Sequence, residues 1–523
     1  MGLHVLDSTI GLSNGHRLSQ DQIPFKDYWV SSGLLTDVLQ LSFFKSFGFN
    51  WQVYVFHASI FNCLFSCSIF LFLRYLKFSN FESLLYGLSS ATIMYPLAGV
   101  VLVDFHSLIL SVLGMIVFFY SINEKNKTLL IIIPTIFLLA FLCKQVPAGY
   151  FIICISLITS VYCFKRKVAW PLLYLLIGSF FSIVIFFLII FLFKIEFKDF
   201  FTQYIKFALT IFTNSKDESF LNQLTEITKI KYFLLILMIF FSNILSNKDT
   251  SDRNSFLKIS TIISFSLVVF FQELFTNNQN VMLGVIPLVI ALISSLFLKD
   301  NIFTKTKMLI YLIITILFFR LIMINYIYLF TLPFILYIFI KNKKFFYNFS
   351  NLFIILTIIL TSFYYEKFVK IRRFNDIFHN VNVFVNGDKI SDKFYGLRWK
   401  TNIVNTKEEV EKILYIKNLK DINNNVLIIS NLQIFNFLLD KKNNSPTKYW
   451  MKNKSYPGLA NNYRNDFESF FKKKIKKEKI NEILILSDND FKIENFKWLN
   501  ECVKLRKIKD YNIKFYSIEK NCI

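Results

Sequence analysis

Apolar runs of about 15–25 residues, each closed by a short polar stretch, recur from about Val53 to Tyr365. A soluble domain carries one apolar face per element, whereas a helix crossing the hydrocarbon core needs about 20 consecutive apolar residues. The pattern predicts an α-helical polytopic membrane bundle over residues 53–365 with about 12 spans. Its first six are Val53–Leu73, Leu84–Val103, Phe105–Ile122, Thr128–Leu142, Val146–Phe164 and Val168–Phe193. The remaining six are Tyr232–Leu245, Ile259–Phe275, Val281–Leu298, Met308–Ile324, Tyr326–Ile340 and Leu352–Tyr365. Several are near 15 residues, so flanking aromatics or local bilayer thinning must complete them.

The pattern changes on either side of this bundle. Residues 1–52 are polar, with Pro24 and an aromatic cluster, and Leu34–Phe47 has the spacing of an interfacial helix. Residues 366–523 alternate short apolar runs with helical stretches. Asn425–Ile429, Glu482–Leu486 and Asn512–Ile518 read as strands, with helices through Leu439 and over Phe467–Lys477. A small C-terminal α/β domain is therefore expected beyond the bundle.

Charge then orients the picture. Alternate loops carry Arg74/Lys77, Lys125/Lys127, Lys165-Arg166-Lys167, Lys248/Arg253/Lys258, Lys305/Lys307 and Lys341/Lys343/Lys344, while the turns between them are poor in positive charge. Short Lys- and Arg-rich loops remain cytoplasmic. Residues before Val53, the loop Lys194–Lys231 and the tail after Tyr365 are thus expected outside the cytoplasm. Nothing apolar precedes residues 1–50 to start their export, so either they cross unaided or a further span lies upstream of Met1; the second is the expectation.

Composition agrees: the 523 residues are 54% hydrophobic and only 18% charged, with 64 Phe and 25 Tyr. A secreted disulfide scaffold and a disordered chain are excluded. The net charge of +24 would suit nucleic acid or anionic lipid, but Lys, Asn, Ile and Phe are abundant together, as a coding bias produces. With a membrane bundle this argues against a nucleic-acid partner. The tail holds 32 Lys and Arg against 19 Asp and Glu, a net +13. Cys502 and Cys522 fall on the expected oxidising side, where a disulfide between them is open.

Ionisable groups at membrane depth are costly and usually functional. Here they gather at the outer ends of spans: His57, Asp104 and His106, Lys144, Glu273 and Arg320. A transporter needs polar groups through the midplane. One-sided placement describes a cavity opening outward.

The first external segment runs from Asp7-Ser8-Thr9 through Asn14-Gly15 to Gln22-Ile23-Pro24-Phe25-Lys26-Asp27-Tyr28-Trp29. An acidic residue, a short helix and then a Pro-aromatic-basic-Asp-aromatic turn resemble the first external loop of the GT-C glycosyltransferases. That superfamily of membrane enzymes uses polyprenyl-phosphate sugars and includes the lipid A aminoarabinose transferase, the protein O-mannosyltransferases and the rhizobial lipopolysaccharide glycosyltransferases. Lys144-Gln145 and Asp104 also resemble recurrent positions of its bacterial members. Two departures stand out: no first span precedes the loop, and Asp7 is followed by Ser8 rather than a second acid.

The resemblance implies sugar transfer from a polyprenyl-phosphate donor to an envelope glycolipid, polysaccharide or protein acceptor, as in lipopolysaccharide biosynthesis. It assigns Asp7 as the base. Lys144 and Arg320 suit the donor phosphate, because a departing phosphate needs fixed positive charge. Asp104, His106 and Glu273 are acceptor or metal candidates, a divalent cation being the one cofactor the residues suggest. Each has a plainer reading. Asp7 could cap a helix, Lys144 and Arg320 could snorkel to headgroups, His57 and His106 could be packing residues, and Glu273 could pair with Arg320. The rival functions are a polysaccharide polymerase or ligase, a non-catalytic member, and a lipid or polysaccharide transporter.

Overall fold

The computed structural model describes residues 5–75, 78–98, 100–213, 384–399, 406–419, 425–486 and 491–519, with a few positions between 354 and 366. Five of the last six expected spans, with Glu273 and Arg320, lie outside the described residues, and only scattered helical positions of Leu352–Tyr365 fall within them. The upstream span expected before Met1 lies outside them too.

Two helices open the chain, α1 (Val5–Ser19) and α2 (Leu34–Phe47). The second covers the stretch whose spacing predicts it, and Gly48 at φ 98° ends it. Six longer helices follow: α3 (Trp51–Tyr75), α4 (Asn80–Ala98), α5 (Val103–Asn123), α6 (Lys127–Cys143), α7 (Gln145–Arg166) and α8 (Trp170–Leu192). Each occupies one of the first six expected spans within a few residues. Among the described residues, α3, α5 and α8 are long and apolar enough to cross a membrane, and α6 is a shorter apolar helix. The chain is thus a mostly helical membrane protein with a small C-terminal sheet domain.

Local chemistry sets the ends and contacts of these helices. The Asn126 side chain accepts from the Leu129 amide at the start of α6, occupying a donor the helix leaves unpaired. Pro171 opens α8, where a missing N–H costs nothing. A Cβ on Gly178 of α8 would lie 2.3 Å from the Ile131 carbonyl oxygen of α6, so glycine permits that approach, and Thr135 and Ser182 hydroxyls meet at 3.1 Å beside it.

Helices consecutive in sequence run antiparallel. Ser66 of α3 donates to the Gly87 carbonyl of α4, and Asn62 donates to that of Ala91. Tyr75, closing α3, donates to Glu124 just past α5 at 2.8 Å. Ser107, opening α5, donates to the carbonyl of Lys144, just past α6. The layer therefore has two sides. One gathers residues 5–50 and the starts of α3, α5 and α7; the other gathers residues 78–79, 124–126 and 167–169.

After α8 the chain turns into α9 (Phe197–Phe200), which continues as a π-helix (Phe201–Phe207) and then α10 (Ala208–Thr213). The tail holds a two-stranded pair, β1 (Val385–Asn386) with β2 (Arg398–Trp399), then α11 (Thr406–Lys417). Its main sheet contains β3 (Val426–Ile429), β4 (Glu482–Ile485), β5 (Val503–Lys509) and β6 (Ile513–Ile518) in the order β3-β4-β6-β5. β3 and β4 are parallel, the connection between them carrying α12 (Phe435–Leu438) and α13 (Arg464–Glu478); the other pairings are antiparallel. A short α14 (Lys497–Cys502) precedes β5, a strand the alternation did not predict. Its run Val503-Lys504-Leu505-Arg506-Lys507 carries a bulge between Leu505 and Lys507 and too many lysines to read as a buried strand. Cys502 is disulfide-bonded.

The cores are shared between distant parts of the chain. One joins Trp51, Val53 and Tyr54 of α3 to Phe394, Trp399, Val426, Leu484 and Phe515 of the tail. A second packs Trp29 and Phe207 on Phe467, Phe471 and Ile483. A third seats Phe25, Tyr28 and Val30 of the first loop on Leu142, Ile190, Phe200 and Tyr204. The first loop is thus a wedge between the helical layer and the sheet domain, and all three lie on the same side.

Candidate functional site: the polar seam beneath the first loop

The seam is stitched by backbone and side chains from both ends of the chain. The Trp29 amide donates to the Pro446 carbonyl at 2.8 Å, and Trp29 and Thr447 form a parallel bridge. Arg17, fully buried, donates to the carbonyls of Ser445 (3.2 Å) and Thr447 (2.9 Å) and lies over the Tyr28 ring. Burial holds its guanidinium down at about 10, still charged at neutral pH. Gln22 donates to the Asn443 carbonyl, and Lys477 of α13 pairs with Asp27. Burial works to raise the Asp27 carboxyl, but Lys477 and the Ile23 amide outweigh it and hold it below its ordinary value.

Two Asp–Lys pairs flank Gly33. The first joins Asp37, in the first turn of α2, to Lys448 of the tail at 2.5 Å, with side chains 4% and 5% exposed. Lys448 also donates to the Ser32 carbonyl at 2.8 Å. Burial pushes the Asp37 carboxyl up and the Lys448 ammonium down, each opposed by its partner's charge. The second joins Asp104, in the first turn of α5, to Lys144, which links α6 and α7; their side chains are 29% and 28% exposed. Gly33, at φ 83°, stands between them. Its amide donates to the Cys143 carbonyl, and a Cβ there would lie 2.6 Å from Val103 Cγ1 and 2.9 Å from Lys448 Nζ. Only glycine holds this backbone without displacing one pair or the other.

A chain of four polar groups runs inward from the same place. Gln40 Oε1 lies 2.9 Å from His57 Nδ1, His57 Nε2 lies 3.2 Å from His106 Nε2, and His106 Nδ1 lies 2.8 Å from the Leu102 carbonyl oxygen. A carbonyl only accepts, so His106 donates from Nδ1. A neutral chain then has His57 donating from Nε2 and the Gln40 amide nitrogen turned toward His57; with the oxygen facing, one extra proton is shared by the two rings. Phe43 stacks on His57 at 4.6 Å between centroids, and Phe61 packs on His106.

The structure places the residues expected from the sequence as follows. Asp104 and Lys144 are brought together, each the other's counter-ion. His106 is close in sequence to Asp104, but its ring nitrogens are taken by His57 and Leu102, so the two do not converge as an Asp-x-His ligand pair. Among the described residues no three His, Cys, Asp or Glu side chains converge on a metal position. Asp7 falls in the first turn of α1. Arg17, Asp37, Gln40 and Lys448 complete the seam. A buried Arg17 or Lys448 carries no local signal in the sequence, because its partners lie over 400 residues away. Gln145, beside Lys144, donates to the carbonyls of Ser31 (2.8 Å) and Tyr204 (2.7 Å) and so ties α7 to the first loop.

The seam can hold a fixed cation at a partly open position, Lys144, backed by a closed layer of charge and hydrogen bonds. No family model matches this chain, and neither does any curated protein or solved structure.

Proposed function

We propose that the chain is a GT-C-type membrane glycosyltransferase, moving a sugar from a polyprenyl-phosphate donor to an envelope glycolipid, polysaccharide or protein on the extracytoplasmic side. The observation that carries this reading is the Asp104–Lys144 pair, half-open at the end of the helical layer directly beneath the first loop. In the transfer, the acceptor oxygen bonds to the anomeric carbon as the carbon–oxygen bond to the phosphate breaks, and the carbon passes through oxocarbenium character. The bond electrons leave with the lipid phosphate, whose growing charge Lys144 meets as its bond to Asp104 loosens. The acceptor proton goes to a carboxylate, the role given to Asp7. Glu273 and Arg320 keep the roles of acceptor or metal candidate and second phosphate ligand.

The side is argued from charge and redox chemistry. The links opposite the first loop hold Arg74, Lys125, Lys127, Arg166 and Lys167, the signature of a cytoplasmic face. A disulfide at Cys502 suits an oxidising compartment for the tail. Reporter fusions at Arg166 and Asn481 should therefore report opposite sides of the membrane.

The test is transfer of labelled sugar from polyprenyl-phosphate donor in proteoliposomes of the full chain. Asp7→Asn and Lys144→Met are each expected to lower turnover at least about 100-fold while leaving the thermal transition in place. Undiminished transfer in both variants would overturn the reading.

A further inference from the structure

The segment after α8 has a surface to which the proposed sugar transfer assigns no role. Along Phe197–Leu209 the buried positions are Phe200, Gln203, Tyr204, Phe207 and Ala208. They face the first loop: Phe25 packs on Phe200 and Tyr204, Trp29 packs on Phe207, and Gln203 both accepts from Val30 and donates to Phe25. The opposite face presents Phe197, Phe201 and Leu209, the last 60% exposed, with half-buried Ile205 between them. Spaced four apart, these make one stripe along the helical run. Lys194, Lys198 and Lys206 flank it, all exposed, against the two acids Glu196 and Asp199, and the Lys206 ammonium lies 5.4 Å from the Phe201 ring centroid.

This stripe continues the apolar face of α8. Phe197 touches Phe187 of α8, and the last turn of α8 turns Phe191 and Leu192 outward at 78% and 73% exposure. The stripe therefore begins where the lipid-facing surface of a membrane-crossing helix ends. A row of apolar side chains edged by lysines at that level fits the boundary between acyl chains and headgroups, and the lysines fit anionic phosphates. α13 adds charge from the domain side: Lys472, Lys473 and Lys476 are exposed, and Lys473 lies near enough to act on Asp199.

We propose that residues 194–209 form an in-plane anchor that seats the first loop and sheet domain on anionic phospholipid headgroups beside α8. The occupant is the bulk bilayer. Charge complementarity and continuity with the α8 surface select it.

The test uses the full chain carrying Phe201→Trp, reconstituted in phosphatidylcholine bilayers with acyl-brominated phosphatidylglycerol or brominated phosphatidylcholine at equal mole fraction. Phe180→Trp, on the exposed face of α8, serves as the lipid-contact control. The expected result is quenching of the residue-201 reporter by shallow bromines, with phosphatidylglycerol favoured by about fivefold. The triple variant Lys194→Glu/Lys198→Glu/Lys206→Glu should abolish that preference and leave the residue-180 reporter unchanged. A residue-201 reporter silent while residue 180 is quenched overturns the anchor. Equal quenching by the two lipids overturns the headgroup assignment. Displacement of brominated phosphatidylglycerol by about 1 mol % polyprenyl phosphate would make the stripe a donor-lipid entrance and overturn the bulk-lipid reading.

Discussion

Two aspartate–lysine pairs on either side of Gly33 serve opposite ends. Asp37–Lys448 is sealed, reaches from α2 to the sheet domain and spends a second donor of Lys448 on a backbone carbonyl. Asp104–Lys144 joins two helix ends of one layer and keeps more than a quarter of each side chain open to its surroundings. A sealed pair cannot let go without stranding a charge in a medium that solvates it poorly. A half-open pair can exchange its partner for an incoming anion at small cost. Burial, not composition, separates a fastener from a candidate binding group.

The sharpest way to break this comparison is Lys448→Met. It leaves Asp37 buried and unpaired, and should lower unfolding stability by about 3–5 kcal/mol. The double variant Asp37→Leu/Lys448→Met should recover most of that loss; both are read as thermal transitions in detergent. Next comes Gly33→Ala, which places a side chain at φ 83° against Val103 and Lys448 and should cost about 2–3 kcal/mol. The same transition reads it, and both pairs should be disturbed.

The third test is a pH titration of the seam. Burial, with the nearby Lys393 adding to it, holds the His16 imidazole down at about 4 against its ordinary 6.5. A group harder to protonate when folded contributes stability above its unfolded pKa and loses it as the pH falls through the folded one. Stability should therefore fall between pH 6.5 and 4, by about 2.5 kcal/mol, and His16→Phe should remove that slope. Smallest is the structural effect of Lys144→Met, under about 1 kcal/mol. A loss as large as that of Lys448→Met would erase the distinction between the pairs.

Much of the helical layer was legible because burial in lipid leaves a long apolar record, and α3 to α8 sit on the runs that announce them. The strands β3 and β4 were legible for the related reason that Val426–Ile429 and Ile483–Ile485 are continuous apolar segments, and β6 because its buried Ile513, Phe515 and Ile518 are interleaved with more polar positions. β5 was not, since an edge strand bearing Lys504 and Arg506 satisfies its pattern by facing solvent. The candidate site was half legible. Asp104, His106 and Lys144 stand out as ionisable groups against apolar surroundings, but their pairing depends on helix packing. Lys448 lies in an ordinary polar loop, Asn443-Asn444-Ser445-Pro446-Thr447-Lys448-Tyr449, and only the arrival of α1 and the first loop converts it into a buried partner.

The bridge between Trp29 and Thr447 has a consequence for how the molecule is made. At about 5–20 residues added per second, roughly 20–90 s separate the ribosomal emergence of the two strands of that seam. Throughout that interval α1 carries Arg17 with none of the carbonyls it will later meet, and the wedge carries Trp29 without its aromatic seat. That seam therefore closes only after residues 443–449 have emerged, and a chaperone that shields Arg17 and Trp29 until then would guard this wait.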